Sequence, residues 1–247
     1  MKALEVKDLA KSFGGVQAVA GVSFSMQAGE RLVMIGPNGA GKTTLLNLVN
    51  GQLAPSRGSI LFFGREVSSL PTHRRAHLGL ARAFQIISLL GEMSIWENTL
   101  LTLHGTRPSR FHLQCSLAGY PEINQQGRRV LEPLGLWDRR HEPVKNIAYG
   151  QQRRLEISLG LALKPRLLLL DEPSAGLTKE ECRVVVDILK NLDQEQGLLI
   201  VDHDMELVFE VATRIMVLHQ GRLLADGPPA EIQADRRVRE IYMGIEQ

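Results

Sequence analysis

The chain has 247 residues, 44% of them hydrophobic, and 29 Lys+Arg against 27 Asp+Glu give a formal net charge of +2. That length carries one large domain or two small ones with a sizeable core, and so even a balance lacks the strongly basic face that would make nucleic acid a main partner. Two cysteines, Cys115 and Cys182, in no C-x-x-C spacing argue against a disulfide framework or a zinc site. With no apolar run near the ~18 residues of a membrane span and no apolar leader in the opening MKALEVKD, the expectation is a protein that stays in the cytoplasm.

In chain order, residues 3–9 and 18–26 alternate apolar and polar side chains around Phe13-Gly14-Gly15, which predicts an N-terminal antiparallel β ribbon. Leu32-Val33-Met34-Ile35 then reads as a buried strand. The next residues, Gly36, Pro37, Asn38, Gly39, Ala40, Gly41, Lys42 and Thr43, fill G-x-x-x-x-G-K-[ST] at every fixed position, with Thr44 following. A nest of backbone N–H groups can face one phosphate only where no Cβ intervenes, hence the glycines. Lys42 supplies a point charge for the β- and γ-phosphates, and the Thr43 hydroxyl a ligand for Mg²⁺. The helix that opens near Lys42 and carries Leu45, Leu46, Leu48 and Val49 aims the positive end of its dipole at the same place.

Short apolar runs at 60–63, 167–170, 198–201 and 215–218 alternate with helical patterns and predict a parallel sheet with crossover helices. Between them, residues 71–164 show helical patterns broken at Pro108, Pro121, Pro133 and Pro143. The expected organisation is α/β: a P-loop NTPase core over 1–84 and 165–247, with a helical subdomain inserted at about 85–164. A helix from 179 to about 194 is expected to lay Val184, Ile188 and Leu192 on the sheet, with Cys182, Val185 and Leu189 beside them.

The run 167–170 ends in Asp171 and Glu172, two carboxylates at the C-terminal edge of a buried strand, where ligands of open α/β sheets sit. Asp171 would position Mg²⁺, and Glu172, beside a metal-neutralised neighbour, would hold the attacking water as base. About 20 residues upstream, Asn146-Ile147-Ala148-Tyr149-Gly150-Gln151-Gln152-Arg153-Arg154 leads into an apolar helix. With this segment the chain resembles the ATP-binding-cassette (ABC) ATPases, whose signature LSGGQ falls on Ile147 to Gln151. The resemblance covers almost the whole chain. The spelling of residues 79–85, 148–157, 175–177 and 241–244 is similar to the ATPases of branched-chain amino-acid importers, a style shared with importers of urea, amides and other amino acids.

The resemblance implies ATP and Mg²⁺ as cofactors and hydrolysis coupled to transport. It implies that Phe13 stacks on adenine, although a Phe in a ribbon is otherwise most often core. Gln85 would join Thr43 and Asp171 around the metal and couple the site to the membrane. His203 would contact the γ-phosphate and orient water, where a lone histidine would otherwise carry no role. Ala148, Tyr149, Gly150 and Gln151 would cap the ATP of a second ABC ATPase subunit. Further implied partners are integral-membrane permease subunits and, indirectly, a periplasmic or extracellular solute-binding protein, which puts the chain at the cytoplasmic face of the cell membrane. Residues 86–90 read either as an internal strand or as a groove for a permease helix. An export or lipopolysaccharide-extraction ATPase and a soluble, non-transport ABC ATPase are the alternatives. Two departures, Ala148 in place of the signature serine and Thr178 in place of an aspartate, suit a heterodimer.

Overall fold

The computed structural model describes residues 1–83, 89–105 and 120–243. In chain order the elements are β1 (Lys2–Phe13), β2 (Val16–Gln27), β3 (Arg31–Ile35), α1 (Lys42–Asn50), β4 (Arg57–Phe62), β5 (Arg65–Glu66), α2 (Thr72–His77) and β6 (Leu80–Ala83). There follow α3 (Ile95–Gly105), α4 (Pro121–Leu131), α5 (Tyr149–Ala162), β7 (Leu167–Asp171), α6 (Lys179–Lys190), β8 (Gly197–Val201) and α7 (Met205–Val211). The chain continues through β9 (Arg214–His219), β10 (Arg222–Gly227), α8 (Pro229–Ala234) and α9 (Arg236–Met243).

The central sheet has six strands in the order β10-β9-β3-β8-β7-β6, parallel except for β10, which returns antiparallel along β9. Its inner strands read as continuous apolar runs because both faces are covered. Alternate residues go to opposite sides, as a pleat requires. Leu32, Met34, Leu167, Leu169, Leu199, Val201, Met216 and Leu218 pack with α1 and the first strands. Val33, Ile35, Leu168, Leu170, Leu198, Ile200, Ile215 and Val217 pack under α6 and α7.

A second sheet, β2-β1-β4-β5, is antiparallel throughout. The predicted ribbon is thus part of a four-stranded sheet, and residues 60–63 are corrected: they belong to this sheet through β4, not to the parallel one. Their burial alternates, with Ile60 and Phe62 turned to the core, the mark of a strand covered on one face only. The helix expected to 194 stops at Lys190, where the Asn191 backbone and side-chain N–H groups both donate to the Asp187 carbonyl, at 3.1 and 2.9 Å, and close its last turn. Its deepest residues are Cys182, Val185, Val186 and Leu189; Ile188 and Leu192 sit at the margin, so the two expected stripes exchange places.

Helices α3, α4 and α5 build apolar clusters of their own, one around Ile95, Leu131, Leu155 and Leu159, another around Leu100, Leu103 and Ile123. Helix α5 also sends Ile157 to the sheet, so it belongs to both layers. Among the described residues no helix is long and apolar enough to cross a membrane.

Candidate functional site

Strand β3 delivers the loop 36–41 to the C-terminal edge of the sheet, and α1 begins directly after it. Gly41 caps α1 with φ 100, and a Cβ there would lie 2.3 Å from the Ala18 carbonyl oxygen. Glycine is therefore required on two counts, the left-handed backbone and the close approach of β2. No side chain caps the helix, which leaves its first N–H groups to the loop. The Lys42 ammonium donates to the carbonyls of Gly36 and Pro37 at 2.6 and 3.0 Å. Burial lowers its pKa, against the pull of the Glu172 and Asp171 carboxylates. A charge so placed is desolvated and close to both acids, ready for a polyphosphate. Asn38, Gly39 and Thr43 are exposed around it, Thr44 is half-buried, and Ala40 is buried.

The far end of α1 is finished by Arg75, a fully buried guanidinium on α2. It donates to the carbonyls of Leu48 and Val49 at 2.8 and 2.7 Å and to those of Leu70 and Ser68 at 2.8 and 3.0 Å. The orphan carbonyls of the helix are so satisfied, although burial brings the pKa of this arginine down to about 10.

Asp171 ends β7 with its side chain fully buried. Its Oδ2 accepts from Arg82 Nη2 at 2.7 Å, and Arg82 Nη1 also reaches Asn47 and Gln52. Burial pushes the Asp171 carboxyl up and Arg82 draws it back. Among the described residues, Asp171 Oδ1 is buried with no hydrogen-bond partner, the state of an acceptor meant for a metal-bound water or an ion. No group of three or more His, Cys, Asp or Glu side chains suited to hold a metal occurs among the described residues. The donor set fits Mg²⁺, which keeps its waters and takes one or two protein ligands plus substrate phosphates. Of the expected ligands, Thr43 lies in the first turn of α1 and Asp171 ends β7; Gln85 lies outside the described residues, as do 86–88 of the apolar stretch. Leu89 packs on the cluster around Ile95, and Leu90, in no strand, is exposed.

Glu172 follows with φ 46, a left-handed backbone rare for a residue with a Cβ. Its N–H donates to the Val201 carbonyl of β8 at 2.7 Å. Beyond β8, Asp202 is a buried hub: Ser174 Oγ donates to it at 2.6 Å and the His203 and Asp204 N–H groups at 2.7 and 3.0 Å. The loop after β7 and the loop bearing exposed His203 are thereby joined. Phe13 lies at the tip of β1, 48% exposed, with the Lys11 ammonium 5.3 Å from its ring centroid.

At the signature, Ala148 is the residue before α5 and offers no oxygen to it; only the reciprocal bond exists, from the Ala148 N–H to Gln151 Oε1 at 3.3 Å. Ala148 and Tyr149 are exposed, and the Tyr149 ring lies against Gly176. A Cβ on Gly150 would fall 1.9 Å from Glu181 Oε1, so any larger residue here would displace the Glu181 carboxylate that caps α6. Thr178 has a local reason to be threonine: its Oγ1 accepts from the Glu181 N–H at 3.3 Å while Glu181 Oε2 accepts from the Thr178 N–H at 2.9 Å, a complete capping box for α6. Arg82, Arg153, Ser174 and Asp202 were not singled out from the sequence. Only the apolar residues flanking Arg82 on β6 and those of β8 just before Asp202 hinted at burial.

Compared with known proteins, residues 19–175 match the family model described as ABC transporter, and residues 222–246 match one described as Branched-chain amino acid ATP-binding cassette transporter. The high-affinity branched-chain amino acid transport ATP-binding protein BraF of Pseudomonas aeruginosa is 37% identical over 250 residues, covering 98% of this chain and 97% of that protein. LivG of Escherichia coli, of the same description, is 35% identical over 248 residues, with 98% and 97% covered. Among solved structures, the ADP conformation of an ATP-binding cassette of an ABC transporter superposes with a TM-score of 0.85 at 27% identity, over 99% of each chain.

Proposed function

The chain belongs to the ABC-transporter ATPases, and from that premise we propose that it energises the import of branched-chain amino acids, or of similar small polar solutes, from the cytoplasmic face of the cell membrane. The observation that carries the solute class is the match of residues 222–246, beyond the stretch matched by the general ABC model, to the branched-chain family model; the described part of that segment, 222–243, holds β10, α8 and α9. ATP hydrolysis is the activity of the family. In this reading ATP stacks on Phe13 and lies on the loop from Gly36 to Thr44, with Lys42 against its phosphates. Thr43, Asp171 and Gln85 would hold Mg²⁺, which would supply charge screening for the transferring phosphoryl group. Glu172 takes the proton of the attacking water, and His203 orients that water. Positioning and electrostatics supply the catalysis, as for phosphoryl transfer generally.

Exposed Ala148 and Tyr149 at the uncapped start of α5 support a composite site in which this signature closes over the ATP of a second, non-identical ATPase subunit. Permease subunits dock beside Gln85, and an extracytoplasmic solute-binding protein supplies the cargo. The test is uptake of radiolabelled leucine, isoleucine and valine by the source cells with the gene deleted and then restored. Uptake should fall on deletion and return with the wild-type chain; undiminished uptake of all three in the deletion strain overturns the solute assignment.

A further inference from the structure

Arg153 sits on α5, one turn beyond the signature, with only 1% of its surface exposed. Its Nη2 donates to the Asp171 and Glu172 carbonyls at 2.8 and 3.0 Å, and its Nε to the Pro173 carbonyl at 3.5 Å. Its charge is answered on its own helix, where Nη1 donates to buried Glu156 Oε2 at 2.8 Å. Three successive carbonyls of the segment that carries both acids are thus gripped by one side chain of the signature helix. Only a planar fork with donors on several nitrogens can do this; an ammonium is a single point.

The grip falls on the one acid whose backbone needs it. Glu172 has φ 46, a conformation that persists only where the surroundings over-determine it. Its N–H is tied to β8 and its carbonyl to α5. We propose that Arg153 is a positioning residue for ATP hydrolysis. It fixes residues 171–173 to the helix bearing the signature, so that displacement of that helix displaces the carboxylate that holds the attacking water. The end of α5 that faces a neighbouring subunit's nucleotide is thereby linked to the base acting on this subunit's own. The inference rests on the assignment of Glu172 as that base.

The test is single-turnover ATP hydrolysis by the assembled ATPase pair, with the substitutions placed in this chain alone and with ATP affinity and melting temperature measured on this chain beside it. Arg153→Met combined with Glu156→Gln removes both buried charges together, so neither is left alone. ATP affinity is expected to stay within about twofold of wild type, while hydrolysis slows roughly 10²-fold, the scale of a misplaced reacting group. In a Glu172→Gln background the same pair should add less than about threefold, because residues acting as one unit are not additive. Arg153→Lys keeps the charge without the fork and should remain about 10-fold slow; it carries the comparison if the double variant does not fold. Full rate in Arg153→Lys, full rate in the folded double variant, or an undiminished multiplicative loss in the Glu172→Gln background each overturns the tie alone. Wild-type turnover in Glu172→Gln removes the base assignment and the tie with it.

Discussion

Helices α6 and α7 begin on side-chain oxygens, whereas α1 and α5 do not. Thr178 caps α6, and Asp204 Oδ1 accepts from the N–H groups of Glu206 and Leu207 at 2.9 and 3.1 Å at the start of α7. Gly41 and Ala148, in the same position on α1 and α5, have no side-chain oxygen to give. A side-chain cap contributes about 1 kcal/mol, so α1 and α5 forgo stability that their neighbours keep. What they retain is a first turn whose N–H groups no side chain caps, at the positive end of a dipole that favours an anion. Helices α2, α4 and α8 also begin without a side-chain cap, so an open end alone marks no site; what sets α1 and α5 apart is that their open ends carry the glycine-bearing motifs.

The sharpest way to break this contrast is at α1. Lys42→Ala removes the buried cation beside the open end, and a loss of ATP affinity of about 10²-fold or more is expected; titration showing normal affinity would detach the nucleotide from this loop. A smaller effect is expected at α5. Ala148→Ser adds a hydroxyl where none exists, a bond of about 0.5–1.5 kcal/mol, and hydrolysis by the assembled ATPase pair should rise roughly two- to tenfold. A higher melting temperature with no change in rate would mean that the hydroxyl merely caps its own helix, and that this end does not meet a phosphate. The smallest functional effect belongs to the capped class: Asp204→Ala should cost about 1 kcal/mol of stability, a fall of about 2–4 °C in melting temperature for a chain of this size, with ATP affinity unchanged. An equal loss of affinity there would erase the distinction between the two kinds of helix end.

The open ends were legible in the sequence because phosphate chemistry demands particular residue types at fixed spacing: Gly36 to Thr43 is a complete local motif, and Asp171 and Glu172 close a run of four leucines. What could not be read was whatever depends on distant partners. An arginine at position 153 reads as one more charge on a solvated face until the carbonyls of residues 171–173 are brought beneath it. Arg82 meets Asp171 across 89 residues of sequence, and Asp202 meets Ser174 across 28. Residues 60–63 were placed in the wrong sheet for a related reason, since four apolar residues specify a strand but not its neighbours. The stripes of α6 were exchanged because Val184, Ile188 and Leu192 keep helical spacing as well as Cys182, Val185 and Leu189 do, and only the sheet decides which set lies deeper.

The buried guanidinium of Arg75 at the back of α1 has a consequence for behaviour in salt. A nine-residue helix is about 13 Å long, beyond the Debye length of about 8 Å at physiological ionic strength. Were Arg75 on the surface, dissolved ions would hide it from a nucleotide at the other end. With 1% of the residue exposed, Arg75 itself is out of reach of those ions. Its pKa of about 10 keeps it charged throughout the physiological range. Any attraction it adds for an anion at the N-terminus of α1 is therefore screened by salt less than that of the exposed lysines and arginines of the chain.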